Sequence, residues 1–93
     1  MKSIIVGNWK LYVKNLAVGK KLLKDIEKGL PRTLRAEVIV CPPIVLAPLL
    51  RASYGGARIG FGTQDVSVDS EGAHTGAVSG THLVGSGITH VLV

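Results

Sequence analysis

At 93 residues, with a formal net charge of +5, 46% hydrophobic and 18% charged residues, the chain has a globular composition and is short enough to hide a smaller share of its surface than a larger domain does. No apolar run approaches the ~20 residues a membrane-spanning helix needs, and Met1-Lys2-Ser3 leads into no apolar leader, so a soluble, cytoplasmic protein without a membrane partner is expected. The one cysteine, Cys41, cannot form an internal disulfide, in keeping with a reducing compartment.

In chain order, the apolar run Ser3-Ile4-Ile5-Val6 opens a first strand over 3–9, and a helix follows over 15–28. Leu16, Gly19, Leu22, Leu23, Ile26 and Leu30 fall at helical spacing and form its expected buried stripe. Asn15 is placed to cap its start and Gly29 its end, before Pro31 forbids continuation. Lys14, Lys20, Lys21, Lys24 and Lys28 lie on the other side, where lysine reads as a solvated face. Trp9, Tyr12, Tyr54 and Phe61 are scattered rather than interleaved with the basic residues, so no nucleic-acid partner is expected despite the charge.

The Val-Ile-Val run of a second strand over 36–40 suits a sheet covered on both faces, and Pro42-Pro43 ends it. A shorter helix over 44–52 is expected to begin irregularly, because Pro48 is comfortable only in a first turn. In a third strand over 58–64, Gly60 and Gly62 alternate with Ile59 and Phe61, which implies a close approach on one face. The stretch 65–79 has neither period and is a candidate functional loop. Ser79 is the expected cap of a short helix over 81–84, and a fourth strand covers 89–93. Strand–helix alternation of this kind makes the fold class α/β, with right-handed βα units on a parallel sheet in one partial domain.

Chemistry concentrates at Val6-Gly7-Asn8-Trp9-Lys10. Two positions apart on a period-two strand, Asn8 and Lys10 share a face at its C-terminal end, where an ammonium neutralises a phosphate or a developing oxyanion. His74 and His82 lack the short spacing of a zinc site and Cys41 has no second cysteine, so neither a metal nor a cofactor is expected. Cys41 reads as a small buried residue rather than a nucleophile.

Taken together in this order, Gly7-Asn8-Trp9-Lys10, Val40-Cys41-Pro42-Pro43, Gly62-Thr63-Gln64-Asp65 and Gly72-Ala73-His74-Thr75-Gly76 resemble the first half of the triosephosphate isomerase family. The resemblance runs nearly end to end. It implies strands one to four of a (β/α)8 barrel and a triose phosphate ligand held by Asn8 and Lys10. It also implies catalysis by Lys10, with its positive charge, in the interconversion of dihydroxyacetone phosphate and glyceraldehyde 3-phosphate of glycolysis and gluconeogenesis. The glycine-rich loop is similar to the one that enters the neighbouring subunit, which assigns Thr75, Gly76 and Gln64 to a homodimer interface and gives Thr75 the role of supporting the partner's Asn and Lys. Gly72 and Gly76 suit the positive-φ turns of a protruding finger.

Three departures stand out. Ala77 occupies a position where the family usually has glutamate, removing a polar anchor of the loop, and Leu11-Tyr12 replaces a common Met-Asn. In the family the fourth strand runs on into Gly-His-Ser-Glu, and the resemblance reaches only to Val93. The catalytic histidine and glutamate are therefore expected beyond it, and this chain alone is expected to be inactive. Counting back from that histidine by strand alternation puts His90 on the outward face, and Ile4, Val6, Val91 and Val93 are expected to face inward, without the opposite wall of a barrel. Four parallel strands cannot close, so a half barrel is expected to self-associate into a homodimer or higher homo-oligomer, with two halves supplying eight strands. The alternative to an enzyme is a non-catalytic, self-assembling half barrel that binds a small anion at Lys10.

Overall fold

The computed structural model describes residues 2–93. Seven elements follow one another: β1 (Ile4–Asn8), α1 (Leu16–Gly29), β2 (Glu37–Cys41), α2 (Ala47–Ser53), β3 (Ile59–Thr63), α3 (Gly80–Gly85) and β4 (His90–Val91). The strands lie in the order β1-β2-β3-β4 and every neighbouring pair is parallel, so each βα unit steps one strand along a curled sheet. This is the first half of a (β/α)8 barrel, as the resemblance implied.

One face of the sheet carries the core. Val40, Ile59 and Phe61 alternate outward against Leu23 of α1, Ala47 and Leu50 of α2 and Leu83 of α3. Trp9 and Val13 close this layer beside β1, and Leu16, Leu22, Ile26 and Leu30 complete the α1 stripe. Gly19 is the tight point of the α1 contact: a Cβ there would sit 3.0 Å from a Leu50 methyl. The five lysines of the opposite side are exposed. Val38, Ile39, Val40 and Cys41 of β2 are all buried, in agreement with a strand covered on both sides.

Local chemistry explains the element ends. Asn15 caps α1, its Oδ1 accepting from the Val18 amide at 2.9 Å. Gly29 does not provide the expected left-handed stop; it is the last helical residue, and Leu30 turns extended because Pro31 follows and disfavours helical backbone before it. A turn over 44–46 precedes α2 and puts Pro48 at the second helical position, where no amide hydrogen is needed. Ser79 caps α3 reciprocally with His82: Oγ accepts from the His82 amide, and Nδ1 accepts from the Ser79 amide at 3.1 Å. That partnership was not foreseen, although the three-residue spacing from Ser79 to His82 is its signal.

On the concave face Ile39 and Cys41 of β2 are buried, whereas Ile4 and Val6 of β1 are exposed. Cys41 and Gly62 meet there, since a Cβ on Gly62 would fall 2.9 Å from the Cys41 Sγ. His90 departs from the outward placement. It stands in register with Gly62, residues in register on parallel strands share a face, and its Nε2 lies 3.8 Å from Glu37 Oε1 across the side-chain-free positions Gly60 and Gly62. Val91 correspondingly pairs with Thr63, which is buried on the helix side, rather than facing inward. The register of β4 on β3, rather than alternation within β4 alone, sets the face.

Candidate functional site

Three strand ends converge where the sequence placed its chemistry. Asn8, the last residue of β1, is in register with Cys41, the last residue of β2, and the Trp9 amide extends that ladder by donating to the Cys41 carbonyl at 3.2 Å. Trp9 is buried in the core and fixes the chain as it leaves the strand. Lys10 therefore does not continue β1. Its backbone is left-handed, with φ of 50°, an uncommon conformation for a residue with a Cβ, costing about 1–2 kcal/mol. The period-two relation between Asn8 and Lys10 is thus replaced by a direct one: Asn8 Oδ1 accepts a hydrogen bond from the Lys10 amide at 2.9 Å. Both residues are exposed at the rim, and Lys10 and Lys14 line an open groove of about 360 Å³.

Gln64, just past β3, completes the arrangement. Its Nε2 donates to the Lys10 carbonyl at 2.8 Å and to the Cys41 carbonyl at 3.0 Å, tying the ends of all three strands. The sequence signal for this contact is a polar residue two positions after the inward Gly62, on the same face of a period-two strand.

Residues 65–79 form a finger. Its base is closed by the Ser67 amide donating to the Val78 carbonyl at 2.8 Å, and residues 68–77 are all exposed. Gly72 and Gly76 take φ of 116° and 87°, the left-handed conformations expected of them. Thr75 and Gly76 form the turn at its end, with the Ala77 amide donating to His74 at 3.0 Å. Between the base of the finger and the strand ends, Leu11, Pro43, Ile44, Gln64, Val66 and Val78 line a mostly apolar cavity of about 430 Å³.

The titratable groups are spread out. Burial pushes the Cys41 thiol up, which keeps it protonated and unreactive near neutral pH. His74 lies 3.6 Å from Asp69 on the finger, His82 caps α3 and His90 faces Glu37. An ammonium beside an amide, on a backbone held in one conformation, can fix an anionic group and stabilise charge on a neighbouring oxygen. Among the described residues, the three histidines lie on the finger, on α3 and on β4, away from Asn8 and Lys10.

The family model described as triosephosphate isomerase matches residues 3–93. Among curated proteins, the triosephosphate isomerase of Acidiphilium cryptum is 38% identical over 95 residues, covering 100% of this chain and 35% of its own length. That of Delftia acidovorans is 40% identical over 92 residues, covering 99% and 37%. Roseiflexus sp. provides a third, 36% identical over 90 residues. The chain spans a little over a third of the length of these relatives. Matched along nearly its whole length by that family model and by relatives of this one description, the chain belongs to the triosephosphate isomerase family.

Proposed function

We propose that residues 1–93 carry the cation-bearing part of a triose phosphate site, Asn8 and Lys10, of a triosephosphate isomerase, and that by themselves they hold the ligand without turning it over. The observation that carries this reading is the Lys10 backbone, held at φ of 50° with its amide on Asn8 and its carbonyl on Gln64 at the mouth of three parallel strands. Such strain persists where the surroundings over-determine it, and it clusters at functional sites. Isomerisation moves a proton between adjacent carbons and needs a base and an electrophile near the substrate. Each histidine of the chain is engaged elsewhere, and Glu27 is hydrogen-bonded to Tyr54. A coupled assay on the pure 93-residue protein, supplied with glyceraldehyde 3-phosphate, is expected to give background rates. Turnover that disappears in Lys10→Ala would overturn the division of labour.

Self-association is the second component of the reading. β1 and β4 are the sheet edges, and Ile4, Ile5 and Val6 of β1 remain 56%, 51% and 47% exposed. Covering each is worth about 1.5–3 kcal/mol, a large share of the ~5–15 kcal/mol by which domains are stable. The finger, with Thr75 and Gly76 at its turn and Gln64 near its base, is the proposed subunit contact. Sedimentation across a hundredfold concentration range is expected to show a homodimer or larger species; one well-folded monomer throughout would contradict it.

A further inference from the structure

The residue that keeps Lys10 in its strained conformation need not touch a ligand. Asn8 reaches only the amide side of Lys10. On the carbonyl side the partner is Gln64, 54 positions away in sequence, whose two N–H bonds go to the Lys10 carbonyl, two residues past β1, and to the carbonyl of Cys41, the last residue of β2. A primary amide has two donors on one nitrogen, and both are used here, so the side chain is pinned as well as pinning. Without the second hold, Lys10 is free to relax to the right-handed conformation that its Cβ favours, and the ammonium then swings away from the strand mouth.

We infer that Gln64 is a positioning residue for Lys10: its carboxamide locks the left-handed Lys10 backbone and so presets the ammonium for an anionic group. The inference rests on the reading of Lys10 as an anion contact, but the lock itself has an independent signature. A left-handed residue gives an unusually intense amide–Hα cross-peak within the residue, because positive φ brings those two protons together.

The test uses the full 93-residue protein and inorganic phosphate as probe. Gln64→Met keeps length without a donor, and Gln64→Glu keeps shape while replacing the donor with a carboxylate. In both, the intense Lys10 cross-peak is expected to weaken to an ordinary one while the β2 and β3 amides keep their protection. In Gln64→Met the phosphate affinity, read from the Lys10 amide shift, is expected to fall about tenfold, the equivalent of losing one preorganised contact. Retention of the cross-peak in either folded variant overturns the lock, and its loss with unchanged phosphate affinity overturns the positioning role. If unsubstituted protein shows no phosphate response, or Lys10→Ala leaves the response intact, the anion reading fails while the cross-peak still decides the lock. Should neither variant fold, the unsubstituted chain decides: its Gln64 side-chain protons are expected to exchange with water far more slowly than those of a free glutamine amide, and free exchange overturns the lock.

Discussion

The Tyr54 hydroxyl donates to the Glu27 carboxylate at 2.9 Å, and the same oxygen accepts from the amides of Arg58 and Ile59, each at 3.2 Å. One phenol thereby joins α1, the end of α2 and the start of β3, with its donor and both acceptor positions used. Its ring also packs tilted against Phe61, with centroids 5.6 Å apart. Tyr54→Phe preserves the ring and orphans two amides and a carboxylate, so a loss of about 1–3 kcal/mol is expected in urea unfolding followed by circular dichroism.

The same contact sets an alkaline limit. Burial, then the hydrogen bond and charge of Glu27, raise the Tyr54 pKa above its ordinary value of 10.0, and burial raises that of Cys41 above 9.0. In each case the folded state holds its proton more tightly than the unfolded one, so the stabilisation is complete below the unfolded pKa and is lost as pH rises through the folded one. Stability is expected to decline above about pH 9–10, with the part belonging to tyrosine absent in Tyr54→Phe. Native Cys41 is correspondingly expected to react slowly with a thiol reagent at pH 8 and rapidly in guanidinium; equal rates would contradict its burial.

Gly62 is the position where backbone space is least negotiable. An added Cβ meets Cys41 Sγ at 2.9 Å and the backbone oxygen of His90 at 3.1 Å, so Gly62→Ala must displace β4 from β3. A destabilisation of about 1–3 kcal/mol is expected from overpacking. Gly29→Ala is the matched control, since nothing lies within 4 Å of that Cβ and φ there is negative; a gain of about 0.5–1 kcal/mol is expected. Equal effects of the two changes on thermal unfolding would contradict the account of β3–β4 packing.

Asn15→Ala removes the acceptor for the Val18 amide at the start of α1. A loss of about 0.5–2 kcal/mol is expected. Ser79→Ala and His82→Ala each break one half of the α3 capping box and are expected to give smaller, non-additive losses in a double-mutant cycle. Independent effects would show that the two bonds do not act together.

Periodicity made the element order, the parallel sheet and the buried stripe of α1 legible, because those depend on spacings within one segment. Gly62 was readable for the same reason: glycines at alternate positions of one strand, Gly60 and Gly62, imply close approach on that face, and the close contact is at Gly62. What stayed hidden depends on register between segments far apart in sequence. His90 faces Glu37 because of how β4 pairs with Gly62, and Gln64 reaches Lys10 because three strand ends meet. Lys10 is legible by residue type, but strand alternation does not reach it, since β1 ends at Asn8 and no local pattern announces a left-handed lysine.

The central claim is that the mouth of β1 receives a triose phosphate through Lys10. Titration of the 93-residue protein with dihydroxyacetone phosphate, followed by backbone amide shifts, tests it most directly. Saturable shifts centred on Asn8, Trp9 and Lys10, absent in Lys10→Ala, are the predicted result; shifts elsewhere in the chain, or none at these three residues, would contradict it.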